Sequence, residues 1–206
     1  MNPGGAWVFF LVMLALAAMP SASVALVVAR SSALGVRNGV AAALGIVAGD
    51  LVFLAVALLG VGALATTAAP VFATLRYAGA AYLAWLGWRL ASSAGGAGAA
   101  SSADGRRATL AASFAAGLVL TLGDAKAILF YASLLPVVLD MEALTGADIA
   151  RVAATTVVTV GGVKIAYAVA ARALAARLAA RSFAGWTRKL AGGAMMACAA
   201  FLVWTA

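Results

Sequence analysis

Histidine is absent from the sequence, cysteine occurs once, at Cys198, and six acidic residues face fourteen basic ones. Each shortage removes a class of function. Without histidine the chain lacks the commonest transition-metal ligand and the usual imidazole proton carrier. A lone cysteine in an apolar segment closes no intramolecular disulfide and reads as a small packing residue. Met195, Met196 and Cys198 form an apolar stripe rather than a soft-metal site. No nucleophile–base pair or metal cluster emerges, so enzyme chemistry, a bound metal and a cofactor are not expected. Charged residues make up only 10% of the chain, against about a quarter in an ordinary soluble domain.

What fills the space is apolar. Hydrophobic residues are 66% of the 206 and the mean hydropathy is +1.10. No soluble domain hides that much apolar surface, so the bilayer is the solvent for most of the chain. At about 20 residues per crossing, the length admits one compact membrane domain and no separate soluble one. Six apolar segments are predicted, over 5–29, 38–64, 70–91, 109–136, 147–176 and 186–206. Residues 1–29 contain no Lys or Arg, so the N-terminus lacks the basic region of a secretory signal and is expected to be a retained membrane helix. The Gly/Ser/Ala-rich stretch 92–108, "SSAGGAGAASSADGRRA", reads as a flexible linker. It separates a first half, 1–91, from a second, 109–206.

The net charge of +8 does not point to nucleic acid, because the basic residues stand at the ends of apolar runs. Arg30, Arg37, Arg89, Arg106, Arg107, Arg172, Arg177, Arg181, Arg188 and Lys189 fall on alternate connections. The opposite connections hold Asp140, Glu142 and Asp148 against Arg151 alone. By the positive-inside rule the first set is cytoplasmic, which puts both termini outside. Trp7, Trp85, Trp88, Trp186 and Trp204 sit near segment ends, as interfacial anchors do. Arg172, Arg177 and Arg181 are expected to snorkel.

Three segments per half means that the second half enters the membrane inverted. Inverted repeats of this kind build many secondary transporters. The predicted fold is therefore an all-α polytopic membrane protein with six transmembrane helices in two inverted three-helix repeats. Polar interruptions support it: "MPSAS" at 19–23 divides the first segment and "GDAKA" at 123–127 the fourth, at similar depth. The same alignment sets Asp50 opposite Lys164, Phe53 opposite Tyr167 and Gly79 opposite Gly192.

Asp50, Asp124, Lys126 and Lys164 lie near the middle of their segments. Each such group costs roughly 2.5–3.5 kcal/mol at a helix centre, so four at one depth imply a shared polar cavity. The bland alternative is a pair of internal ion pairs that lock helices together. Pro20 donates no backbone hydrogen bond and clashes with the preceding turn, so the first helix should bend or break near Ser21–Ser23. The second half-helix would then point its N-terminal dipole at the cavity, an arrangement that suits carboxylates, with Ser21 and Ser23 adding hydroxyls. Gly45 and Gly49, in "GIVAG", have the spacing that lets helices approach closely.

These residues resemble a known family. "NPGGAWVFFLVMLALAAMPSASVALVVARSSALGVRNGVAAALGIVAGDLVFL", "LRYAGAAYLAWLGWRL" and "LTLGDAKAILFYASLLP" are similar to the lysine exporter (LysE/RhtB) family of amino-acid efflux permeases, across essentially the whole chain. The resemblance implies a bacterial inner-membrane exporter of amino acids or related metabolites, driven by exchange for protons. The family pattern carries Pro-Gly-Pro in its first helix and Asn-Pro-Lys in its fourth. Here those positions read Pro20-Ser21-Ala22 and Asp124-Ala125-Lys126, so the fourth helix is expected to run more continuously than in the family. In this reading Lys126, Lys164 and the N–H groups after Pro20 hold a substrate carboxylate. Asp50 or Asp124 holds the amino group, and one of the two carries the coupling proton. The rivals are an inorganic-ion or metal exporter on a related six-helix plan and a non-transporting structural subunit. Expected partners are a small solute, protons and lipid, with a homodimer compatible with the sequence.

Overall fold

The computed structural model describes residues 3–58, 103–139 and 144–179. It also describes positions 74, 77, 80–82, 84, 85, 87, 88, 92, 189, 193, 194, 196, 197 and 200, all but 92 within the third and sixth predicted segments. All regular structure among these residues is helical. The elements are α1 (Pro3–Ala18), α2 (Ala22–Leu34), α3 (Val36–Leu58), α4 (Ala103–Leu122), α5 (Ala125–Val138), α6 (Gly146–Thr156) and α7 (Gly162–Ala179). A π-helical turn, Val157–Gly161, joins α6 to α7 without interrupting the rod. The positions in 74–92 and 189–200 are helical as well. The linker core, the acidic pair Asp140 and Glu142, Arg181, Arg188, Trp186, Trp204, Cys198 and the Gly79–Gly192 match lie outside the described residues.

Among the described residues, α3 and the continuous stretch Gly146–Ala175 are each long and apolar enough to cross a membrane. The pair Ala6–Ala18 and Ala22–Leu34 makes a third span, bent by 59° at its break. The first segment thus runs five residues beyond its expected end at 29, and Arg30 belongs to the helix rather than to the connection. Gly35, at φ +98°, makes the turn into α3 and caps α2 by donating its N–H to the Ser31 carbonyl at 2.9 Å. A positive φ of this kind favours glycine.

The large apolar side chains exposed on the outside include Trp7, Leu11, Leu44, Val52, Trp85, Trp88, Val158, Val169 and Leu174. Such a surface is suited to lipid, as the tryptophan and hydropathy patterns require. Helix α3 is the centre of the bundle and touches α2, α4, α5, α6 and α7. Its tightest seam is with α4. A Cβ at Gly45 would run into the Phe114 carbonyl, one at Gly117 into the Ala42 carbonyl, and one at Gly49 would lie 2.7 Å from Thr121 Cβ. The Gly45–Gly49 spacing is therefore a packing device, as its sequence suggests.

Candidate functional site

The site begins with two broken helices. At the first break Met19, Pro20 and Ser21 leave the helix. Pro20 has no N–H to continue the ladder, and its ring opposes the preceding turn. Ser21 occupies the N-cap position of α2 in extended backbone but makes no side-chain cap. Its hydroxyl pairs with that of Ser23 at 3.0 Å. Pro20 and Ser21 are exposed and Ser23 half-buried.

The second break falls at Gly123–Asp124 even though Ala125 stands where the family pattern has proline. The expectation of a more continuous helix is corrected. Glycine is a poor helix former and aspartate favours the residue before a helix. Here Gly123 N–H closes on the Val119 carbonyl at 2.9 Å and Asp124 N–H on that of Thr121 at 2.9 Å. The Asp124 carbonyl then accepts from Ala127 N–H at 3.0 Å and opens α5. Asp124 is exposed at the break. Lys126 lies in the first turn of α5, and its side chain is outside the described residues.

A helix end leaves backbone carbonyls without intrahelical partners. At the end of α1 two side chains from α7 supply them. Lys164 Nζ donates to the Ala17 carbonyl at 3.1 Å, and Tyr167 Oη donates to the Ala18 carbonyl at 2.9 Å. Residues three apart share one helix face, so the pair caps consecutive carbonyls. The ammonium also complements the negative end of the α1 dipole. Lys164 is 3% exposed and Asp50, on α3, 9%. Asp50 interacts electrostatically with both Lys164 and Asp124, which ties the two breaks into one charged neighbourhood.

Two further residues complete it. Tyr131 of α5 is 2% exposed and lies within electrostatic reach of Asp50, with Thr156 beside it. The Thr156 hydroxyl is buried and faces the Tyr131 hydroxyl. It stands where α6 enters the π-helical turn, and π-turns inside α-helices are frequent at functional sites. Sequence reading missed both. Tyr131 looks like one aromatic of an apolar run, and Thr156 is one of a β-branched string, "TTVVTV".

The geometry therefore brings Lys164 and the half-buried Tyr167 to the end of α1, with the buried Asp50, Tyr131 and Thr156 in the same charged neighbourhood. Such an arrangement can hold a zwitterion. The model described as LysE type translocator matches residues 14–206. The chain belongs to the LysE translocator family. A relative from Synechocystis sp., an uncharacterized membrane protein, is 38% identical over 93% of this chain and 91% of its own length. A leucine efflux protein of Enterobacter sp. (strain 638) is 36% identical over 59% of this chain and 57% of its own. Another leucine efflux protein, from Salmonella choleraesuis, is 32% identical over 66% and 64%. No solved structure matches the chain. As a LysE translocator it is a membrane protein built to move a solute, and its apolar exterior and bent first span accord with that.

Proposed function

We propose that this LysE translocator exports amino acids, with leucine the first candidate, across the bacterial inner membrane in exchange for protons. The observation that carries the reading is the buried cluster of Asp50 and Lys164 at the severed end of α1, within charge range of the second break at Asp124. A charged pair at this depth is costly unless it serves a polar route. Leucine comes from the names of the efflux relatives, and apolar surroundings with a few charged groups suit a small apolar zwitterion.

The full architecture in this proposal is six spanning helices in two inverted halves, 1–91 and 109–206, joined by a cytoplasmic linker at 92–108, with both termini periplasmic. The breaks at Met19–Ser21 and Gly123–Asp124, one in each half, support it. Pro20, Ser21, Ser23, Asp50, Asp124, Lys126 and Lys164 form the binding region. Lys164 has three donors; one reaches the Ala17 carbonyl, and the others are available to a substrate carboxylate. Asp50 or Asp124 receives the amino group and exchanges the proton. Because Lys164 also caps α1, carboxylate binding would compete with the cap and couple occupancy to the bend of the first span.

The test is efflux of labelled leucine and a panel of other amino acids from proteoliposomes under an imposed proton gradient. Wild type is compared with Asp50→Asn and Asp124→Asn. Gradient-dependent efflux that either variant abolishes while remaining folded supports the proposal. A wild type that moves no amino acid but carries an inorganic ion would overturn it.

A further inference from the structure

The charged groups described so far gather at the breaks, but Arg30 does not. It lies on α2 eight residues beyond Ala22, about 12 Å along the helix axis, and one turn before the helix ends at Leu34. Its side chain is only 3% exposed. Among the described residues nothing accepts a hydrogen bond from Nε or Nη2. Tyr82 interacts with it electrostatically, yet the Tyr82 hydroxyl already donates to the Ala112 carbonyl at 3.2 Å.

Among the described residues, Ser31, Asn38 and Ser113 nearby each have a partner. Ser31 Oγ donates to the Ala168 carbonyl. Asn38 Nδ2 donates to the Leu34 carbonyl at 3.1 Å, and Asn38 Oδ1 accepts from Ser113 Oγ at 2.9 Å. Asp50, in contrast, is twelve residues further along α3 than Asn38, about 18 Å away along that helix. A buried cation without a counter-charge is strongly unfavourable. A guanidinium presents a planar fork of donors matched to a carboxylate.

We propose that Arg30 forms a second solute site, distinct from the one at the breaks, which captures the carboxylate of the exported amino acid on the side of the bundle where α2 turns into α3. This deepens the export reading and rests on it for the identity of the solute. By the charge distribution that side is cytoplasmic, so an outgoing substrate meets Arg30 before it meets Lys164. A lipid phosphate carries similar chemistry. The burial of Arg30 among helices, rather than on the apolar exterior, favours the solute.

The experiment uses the purified full chain and thermal unfolding with L-leucine, 4-methylpentanoate or L-leucinamide at equal millimolar concentration, and separately with phosphatidylglycerol. Wild type should be stabilised by the two carboxylates and not by the amide. Arg30→Met should fold and show a smaller shift, from the site at Lys164 alone, and Arg30→Lys a shift between the two. In efflux assays the KM on the α2–α3 turn side should rise about ten- to hundredfold in Arg30→Met, the range expected for a lost charge-assisted contact, with kcat changed far less. A carboxylate shift intact in Arg30→Met overturns the proposal. So does a phosphatidylglycerol shift that alone depends on Arg30. If Arg30→Met does not fold, Arg30→Lys decides: a weakened carboxylate shift supports the site, an unchanged one removes it. Should wild type carry no amino acid, export falls, while the unfolding shifts still decide whether Arg30 holds a carboxylate.

Discussion

Replacing Lys164 by methionine keeps the length and apolar stem of the side chain and removes its donor and its charge. The Ala17 carbonyl then loses a charge-assisted hydrogen bond of 3.1 Å. Bonds of that class contribute about 1.5–3 kcal/mol. The favourable placement of a cation at the C-terminus of α1 is lost as well, worth up to about 2 kcal/mol when partly buried. These contributions overlap, because both arise from the same ammonium facing the same carbonyls. Removal of a buried charge also recovers some desolvation, while Asp50 loses an attractive neighbour. A net destabilisation of about 2 kcal/mol is the expected balance. Tyr167→Phe removes only a neutral bond of 2.9 Å to the adjacent carbonyl, worth about 1 kcal/mol.

The two substitutions act on one helix end, so their effects should not add. Once the Lys164 cap is gone, the end of α1 can shift and Tyr167 has less to hold. The double variant should therefore fall short of the sum by about 0.5 kcal/mol or more. Reversible unfolding in mixed detergent micelles measures all three. Additive losses, or a Tyr167→Phe loss equal to that of Lys164→Met, would refute the idea that the ammonium closes the severed helix.

Asp50→Asn should leave the fold intact, since it neutralises a buried charge without changing shape, yet cut proton-driven efflux at least tenfold in proteoliposomes. Gly45→Ala puts a methyl group against the Phe114 carbonyl, which no rotamer change relieves. It should cost about 1–3 kcal/mol, the usual range for overpacking, read as an earlier unfolding midpoint. Thr145→Ala removes the cap of α6, where Thr145 Oγ1 accepts from Asp148 N–H at 3.2 Å. A loss of about 1 kcal/mol is expected, with efflux unchanged once the protein is folded.

Much of this arrangement is legible in the chain before any coordinates. Pro20 announces the first break because its covalent structure forbids the next rung of the helix, and the break lies at Met19–Ser21, beside the expected Ser21–Ser23. The second break survives the loss of proline because Gly123 and Asp124 are themselves poor at continuing a helix. The close approach at Gly45 and Gly49 is equally local. What escapes sequence reading depends on which helices become neighbours. Nothing around Lys164 says that its ammonium meets the carbonyl of Ala17, 147 residues away. Arg30 illustrates the same limit from another side. Counted with the connections, it serves only as an orientation signal; once α2 extends to Leu34, the same residue is a buried cation.

The π-helical turn explains how one rod serves both the end of α1 and the Asp50 neighbourhood. Thr156 and Lys164 are eight residues apart, which in an uninterrupted α-helix separates their directions by about 80°. A π-turn absorbs one residue, so their spacing becomes equivalent to seven, close to two full turns. Val152, Thr156, Lys164 and Ala168 are accordingly all buried, at 0%, 0%, 3% and 0% exposure, along one continuous face. Tyr167 follows Lys164 by three residues and stays within reach of the same helix end. Without the extra residue, either Thr156 would turn away from Tyr131 or Lys164 would turn away from the Ala17 carbonyl. The run Val157–Gly161 thus sets the phase that lets one rod face both the Tyr131 and Asp50 neighbourhood and the cap of α1.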